Sequence, residues 1–98
     1  PDIVFYDAGV DVHSNDDLGN LNLTDDGIKK RDEIVCEYFK EKKIPLCTVI
    51  GGGYSKNRQE LASRHFSIFE TVSKTYLWIF LINSLNQPKN YSYSQYNL

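Results

Sequence analysis

Two positions in this chain carry side chains that could do chemistry, and each comes soon after an apolar run. Asp11 follows the run at residues 3–6, and Tyr54 follows the run at residues 48–50 across three consecutive glycines. A carboxylate can hold a metal ion through oxygen, and a phenol can donate a hydrogen bond to an oxyanion that forms during a reaction. If both runs are parallel strands of one sheet, both side chains lie at the edge where α/β proteins bind ligands.

The local sequence also allows simpler interpretations of these residues. Asp11 could form a turn or cap a helix, and Tyr54 could simply pack. Asp11 and His13 have Asp-x-His spacing, and residues two apart face the same way in an extended segment, so both could reach one metal ion. The alternative is a loop histidine beside acidic groups. Two ligands would also not complete a zinc site, which needs three from the protein.

The glycines at residues 51–53 have two interpretations as well. Glycine lets the backbone approach a ligand closely, so the turn could cradle a phosphate at a helix N-terminus. The sequence has neither G-x-G-x-x-G nor G-x-x-x-x-G-K-[ST] here, which disfavours that role. The other interpretation is a tight turn that lets Tyr54 project into a site. Arg58, Arg64 and His65 follow on or near the next helix, where a solvated or partly packed face explains them.

The elements that must position these residues alternate between strands and helices. Residues 2–6 and 44–50 are predicted to be buried strands. The first helix is predicted to begin after the N-cap Thr24 and to end before Pro45, and a second helix to cover about residues 57–73. The order β-loop-α-β-loop-α predicts a parallel sheet. A parallel sheet is covered on both faces, so we expect more of it outside this sequence.

Composition limits the class of protein. The 98 residues allow one small domain, and a net charge of −2 without a basic stripe argues against nucleic-acid binding. Cys36 and Cys47 lie in apolar-patterned segments, which predicts buried, reduced thiols and a reducing compartment. The longest apolar run, residues 76–82, is far shorter than the ~20 residues of a membrane span.

The two ends of the sequence indicate a fragment. The chain contains no methionine, starts almost directly with a strand, and shows no signal peptide. Residues 83–98 are rich in Asn, Ser, Tyr and Gln, so we expect them to be disordered or loosely packed.

Several motifs occur in a fixed order along about residues 1–70. They are PDIVFYDAGVD at 1–11, DDLG at 16–19, LNLT at 21–24 with GI at 27–28 and KRD at 30–32, and VIGGGY at 49–54. In this order and at this spacing the chain resembles the C-terminal part of the histone deacetylase superfamily. The residues of these motifs are most similar to those of the class IV branch and of the bacterial deacetylases that resemble it.

The resemblance implies an α/β fold of the arginase/deacetylase type, with three layers around a parallel sheet, of which only the C-terminal β-α-β-α portion is present. It also implies a single catalytic Zn²⁺. Asp11 matches the later zinc-binding aspartate of the family, and the motifs that follow it mean that His13 is not the zinc histidine. Tyr54 matches the tyrosine that polarises the scissile carbonyl. Gly52 and Gly53 match the glycines that line the acyl-lysine channel.

The same resemblance implies what the longer parent protein would do. It would be a zinc-dependent amidohydrolase that acts on acetyl-lysine in proteins such as histone tails, in the nucleus and/or the cytoplasm, with corepressors or other proteins as partners. Asp16 matches an acidic loop position that supports the structure. The tandem histidines that transfer protons and the family's Asp-x-His zinc pair are missing, and we expect them before Pro1. The fragment alone is therefore predicted to be inactive.

These expectations divide the chain into a partial catalytic domain at residues 1–73 and a divergent or disordered tail at residues 74–98. Two other functions stay open. One is a non-catalytic interaction module with deacetylase ancestry, which apolar surface left by missing strands would favour. The other is a small nucleotide-binding domain that uses the turn at residues 51–53, although the Lys and Ser/Thr of a phosphate-binding loop are absent.

Overall fold

Two four-residue strands pair in parallel and define the sheet. The computed structural model describes residues 1–86, with the backbone alone at residues 78–80. Strand β1 (Val4–Asp7) pairs with strand β2 (Leu46–Val49) along their whole length. The parallel pairing predicted from the element order is confirmed, and the carboxyl ends of both strands lie at one edge.

Helix α1 (Asp25–Glu41) begins at the predicted cap. The Thr24 hydroxyl accepts a hydrogen bond from Gly27 N–H at 3.1 Å, which satisfies one of the free amides of the first turn. After the helix, Lys43 adopts φ 56°, and the chain turns ahead of Pro45 into β2. The buried positions of α1 are four residues apart, so one face of the helix packs inward: Ile28, Asp32 and Cys36.

Helix α2 (Arg58–Val72) begins after Asn57, whose side chain accepts a hydrogen bond from Glu60 N–H at 3.2 Å. The chain remains helical beyond the predicted end of this helix. A π-helical stretch (Ser73–Leu77) leads into α3 (Trp78–Leu85). The predicted tail therefore starts as helix, and its residues 87–98 lie outside the described part of the chain.

Two long-range hydrogen bonds hold the π-helical stretch against α1. The Tyr76 hydroxyl donates to Cys36 O at 3.1 Å, and Lys40 Nζ donates to Thr75 O at 2.8 Å. A π-helical turn is rare and is mostly found as a single turn within a longer helix, as it is here. Tertiary contacts, which no local sequence pattern encodes, therefore extend the helix.

A small apolar core lies between the sheet and the helices. Ala8, Cys36 and Ile68 form its centre, and the half-buried side chains around it are Tyr6, Leu46, Val72 and Tyr76. Phe5 lies on the opposite face of β1 and is 70% exposed. The described residues thus form a small α/β unit with a two-stranded parallel sheet, and they show one helical layer of the expected three-layer fold.

The two cysteines are free thiols, as predicted. Cys36 is fully buried, and burial raises its pKa to about 11, which keeps the thiol protonated. Cys47 is only half-buried. None of the helices in residues 1–86 has the length and apolar character that crossing a membrane requires.

Candidate active site

The loop after β1 and the glycine turn after β2 are joined directly through backbone hydrogen bonds. Val10 N–H and Asp11 N–H both donate to Gly52 O, at 2.6 and 3.2 Å. Ala8 N–H donates to Val49 O at 3.0 Å and continues the parallel pairing up to these loops. The structure thus brings the segments of Asp11 and Tyr54 to one edge of the sheet.

The Asp11 side chain lies against the glycine backbones and has no hydrogen-bond donor among the described residues. A Cβ atom added to Gly52 would lie 2.8 Å from Asp11 Cγ, and one added to Gly9 would lie 3.2 Å from Asp11 Oδ1. Asp11 is exposed at the strand tip. A turn-forming or capping aspartate would accept backbone N–H bonds, so Asp11 is instead left free to bind a ligand.

Two neighbouring aspartates accept backbone N–H bonds, which Asp11 does not. Asp7 Oδ1 accepts Gly9 N–H at 3.1 Å. Asp16 Oδ1 accepts the N–H groups of Leu18 at 3.0 Å and Gly19 at 2.8 Å. Both carboxylates thereby stabilise turns, as short polar side chains commonly do.

The described residues do not complete a metal site. Within residues 1–86 there is no group of three or more His, Cys, Asp or Glu side chains around one point. A zinc site needs three protein ligands when it is catalytic. Asp11 offers one oxygen donor of such a set, and its free carboxylate fits that role.

His13 is engaged away from Asp11. It is 5% exposed, its Nε2 lies 3.2 Å from Asp25 Oδ1, and its Nδ1 accepts Asn15 N–H at 3.0 Å. Because Nδ1 accepts a hydrogen bond, the proton of the neutral ring is on Nε2 and faces the carboxylate. Both ring nitrogens are therefore used, which confirms the loop-histidine interpretation over a shared metal site.

Tyr54 has a fixed backbone and a free side chain. Its N–H donates to Asp16 Oδ2 at 2.6 Å, and its carbonyl accepts Asp17 N–H at 3.0 Å. Asp17 Oδ2 in turn accepts Lys56 N–H at 3.1 Å. The phenol is 62% exposed, and its hydroxyl has no partner in the described part of the chain. Within the described residues the Tyr54 side chain is mostly exposed, and its hydroxyl is available as a donor.

Asp16 connects the first loop to the glycine turn. The Tyr54 N–H holds the pKa of this carboxyl below its usual range, with further help from Leu18 N–H, Gly19 N–H and the charge of Arg64. Asp16 is therefore ionised at neutral pH. This arrangement agrees with the supporting role expected for that position.

The glycine turn is shaped by the acidic side chains around it. A Cβ on Gly51 would overlap the Asp7 carboxylate, and a Cβ on Gly52 would overlap Asp11. At Gly53 a Cβ would lie 2.6 Å from Val10 Cγ2. Two carboxylates beside the turn would repel a phosphate, so the structure argues against the phosphate-cradle interpretation.

A buried polar network beneath the site was not anticipated from the sequence. Asp32 is 1% exposed, and its Oδ1 accepts hydrogen bonds from the Tyr6 hydroxyl at 2.6 Å and from Arg31 Nη2 at 2.8 Å. Arg31 Nη1 donates to Gly9 O at 2.6 Å and so ties α1 to the loop of Asp11. The signal in the sequence is Asp32 itself, a charged residue on the apolar stripe of a helix.

Comparisons with known proteins identify the family of the chain. The family model of the histone deacetylase domain matches residues 1–69. An uncharacterized protein of the cyanobacterium Picosynechococcus is 42% identical over 76 residues, which are 78% of this chain and 25% of that protein. Histone deacetylase 2 of Arabidopsis thaliana is 46% identical over 57 residues, which are 58% of this chain and 15% of that protein. The chain thus spans a quarter or less of these relatives, and it belongs to the histone deacetylase family.

Proposed function

We propose that this chain is the C-terminal part of the catalytic domain of a class IV-like, zinc-dependent deacetylase that hydrolyses acyl-lysine amides. One observation carries the proposal: a carboxylate and a phenol, both without partners in residues 1–86, lie on two loops joined by hydrogen bonds to Gly52 O. Family membership supports the reaction class. The proposed substrates are acetyl-lysine proteins such as histone tails. Corepressors as partners, and the nucleus and/or cytoplasm as location, are part of the same proposal.

Each residue has a distinct role in the proposed reaction. Asp11 would hold the zinc ion through a carboxylate oxygen. A bound zinc ion supplies Lewis acidity toward the acyl carbonyl and lowers the pKa of a bound water. Tyr54 donates a hydrogen bond to the oxyanion of the tetrahedral intermediate. Gly52 and Gly53 are the proposed lining of the acyl-lysine channel, and a larger residue there would displace Asp11 or collide with Val10.

The proton-transfer group must come from the rest of the parent protein. The chain has two histidines, of which His13 is paired, whereas Nδ1 of His65 is buried without a hydrogen-bond partner among the described residues. His13 contacts Asp25, and the Nε2 atom of His65 lies beneath the turn, 3.0 Å from where a Gly53 Cβ would be. A general base has to reach the attacking water, and His13, although it follows Asp11 on the same loop, is buried and paired with Asp25.

Hydrolysis of an acetyl-lysine peptide tests the proposal. We expect zinc-dependent turnover by the full-length protein that contains this chain, and none by the 98-residue chain alone. Tyr54→Phe should lower kcat of the full-length protein by about a hundredfold, the usual effect of removing one oxyanion donor. Full activity of that variant would contradict the role of Tyr54. Turnover by the isolated chain, abolished by Tyr54→Phe, would contradict the need for the missing segments.

A non-catalytic interaction module is the second candidate, and the open sheet face favours it. Phe5 is 70% exposed and Ile50 is 59% exposed, so apolar surface is available to another protein segment. The transcript upstream of Pro1 separates the two functions. An in-frame segment that encodes paired histidines and an Asp-x-His motif supports the enzyme, and a start near Pro1 without them supports the module.

A further inference from the structure

Gly53 is held between the loop after β1 and helix α2. A Cβ atom added to Gly53 would lie 2.6 Å from Val10 Cγ2, on the loop after β1. The same atom would lie 3.0 Å from His65 Nε2 and 3.1 Å from Leu61 Cδ1, both on α2. Leu61 and His65 are four residues apart, so they lie on one face of the helix. Two side chains of α2 thus support the backbone of the turn directly before Tyr54.

The phenol of Tyr54 depends on this support for its direction. The backbone N–H and carbonyl of Tyr54 are bound by Asp16 and Asp17. Its side chain is mostly exposed, so little packing holds the ring in place. The backbone of the turn then determines where the hydroxyl points, and a contact that shifts Gly53 moves the phenol with it.

His65 carries a cost that an ordinary packing residue would avoid. Its Nδ1 atom is buried and has no hydrogen-bond partner among the described residues. A buried polar atom without a partner costs free energy that an apolar side chain at the same position would not cost. Nδ1 is also closed off from solvent, so it cannot take a proton from a water molecule at the site. The contact of the other ring nitrogen, Nε2, with the glycine turn is therefore the feature that explains this imidazole.

We propose that His65 is a positioning residue whose Nε2 edge supports Gly53 and so fixes the direction of the Tyr54 hydroxyl. The inference rests on the proposed deacetylase function. A hydrogen bond to the oxyanion stabilises the transition state and not the bound substrate, so a misdirected phenol lowers kcat and leaves KM nearly unchanged. Because the hydroxyl is still present, loss of its support should lower kcat less than loss of the hydroxyl itself.

Two polar substitutions of different reach test the contact in the full-length protein that contains this chain. His65→Gln keeps a terminal amide at about the distance of Nε2, whereas His65→Asn is one carbon shorter and leaves the turn unsupported. We expect His65→Asn to lower kcat by about tenfold at unchanged KM, and His65→Gln to keep kcat within about twofold of the wild type. An unchanged kcat in His65→Asn would overturn the inference, as would equal losses in the two variants.

A double-mutant cycle shows whether His65 acts through Tyr54. In the Tyr54→Phe background there is no hydroxyl to direct, so His65→Asn should cause little further loss of kcat. A purely structural role of His65 predicts the same loss in both backgrounds, and that result would contradict the inference.

Ile68→Val is the matched control on the same helix. Ile68 is 4% exposed, so the substitution should lower the Tm by a few degrees and leave kcat unchanged. A loss of kcat as large as that of His65→Asn would assign the effect to lower stability and would overturn the inference.

The same measurements separate this inference from the proposed function. Absence of turnover by the full-length wild type overturns the proposed function and the inference together. Turnover that is unaffected by Tyr54→Phe removes the role of Tyr54 and, with it, the inference. Turnover that depends on Tyr54 but not on His65 overturns the inference alone.

Discussion

At the scale of single residues, the aspartates of this site differ in their hydrogen-bond partners. Asp7 and Asp16 each accept backbone N–H groups and so stabilise turns, whereas Asp11 accepts none from the described residues. Their local sequences all predict turns equally well. The free carboxylate could be recognised from sequence only through the family motif, because hydrogen-bond partners depend on how the loops fold together.

Asp16→Asn should loosen the turn that carries Tyr54. An amide has a single acceptor oxygen, so it cannot serve Tyr54 N–H on one side and the Leu18 and Gly19 N–H groups on the other. We expect faster hydrogen exchange at the Tyr54 amide in the variant, measured by NMR at neutral pH. Unchanged exchange would mean that Asp17, through its own bond to Tyr54 O, is enough to hold the turn.

The pH dependence of this contact follows from the lowered pKa of Asp16. A carboxyl with a lower pKa in the folded state stabilises that state above the ordinary aspartate value of about 4, and the stabilisation is lost as pH falls through the folded pKa. The Tyr54 amide shift should therefore titrate below pH ~4 in the wild type. A midpoint at or above the ordinary value would contradict the contact.

Gly52→Ala should displace Asp11 with little effect on stability. The new Cβ would collide with the Asp11 carboxylate, which is the mobile end of an exposed side chain and can swing away. We expect the free energy of unfolding to change by less than about 1 kcal/mol, while kcat/KM of the full-length protein falls about a hundredfold. Gly27→Ala in α1 is the control, since its Cβ would find only ordinary contacts at 3.4 Å and beyond. Equal activity of both variants would contradict the positioning of Asp11.

At the scale of elements, the network of Tyr6, Arg31 and Asp32 fixes α1 to β1. Tyr6→Phe removes the donor at 2.6 Å from the buried carboxylate, although Arg31 still pairs with it. We expect a loss of about 1–2 kcal/mol in the free energy of unfolding, measured by urea denaturation. Tyr38→Phe is the control, since Tyr38 is 53% exposed and its hydroxyl has no partner within residues 1–86. Equal losses in both variants would contradict a specific role for the Tyr6 bond.

Burial, followed by the bond to Asp32, also raises the pKa of Tyr6 above the usual tyrosine range. The folded state then holds this proton more tightly than the unfolded chain. Wild-type stability is therefore complete below pH ~10 and declines as pH rises above that value. The difference in the free energy of unfolding between the wild type and Tyr6→Phe should become smaller in alkaline solution. A larger difference would show that the pKa of Tyr6 is shifted in the opposite direction.

Local signals predicted the elements well, and tertiary contacts account for the differences. Both strands, the cap at Thr24 and the turn before Pro45 depend on nearby residues, so the sequence indicates them. The helix past Ser73 makes its hydrogen bonds to distant residues of α1, since Lys40 donates to Thr75 O and Tyr76 donates to Cys36 O. The helix that carries Arg31 was predicted, but the contact of Arg31 with Gly9 was not, because it joins residues that lie 22 apart.

At the scale of the whole molecule, the open face of the sheet is the main feature to explain. Parallel sheets are ordinarily covered on both faces, yet Phe5 remains 70% exposed. The curated relatives are much longer than the matched region, which makes up 25% and 15% of them. If the proposed parent protein supplies the remaining layers, this face is an interior surface that the present residues leave uncovered.

Phe5→Ser distinguishes an interior surface from an open one. In the isolated chain the substitution removes little buried area, so the free energy of unfolding should change by less than about 0.5 kcal/mol. In the full-length protein it should cost about 3 kcal/mol, because a large apolar side chain is then lost from a packed core. Ile28→Val is the control: Ile28 is 1% exposed, so about 1 kcal/mol should be lost in both proteins. If Phe5→Ser is equally harmless in both, the face stays open in the parent protein, and a docking surface explains it better than a missing layer does.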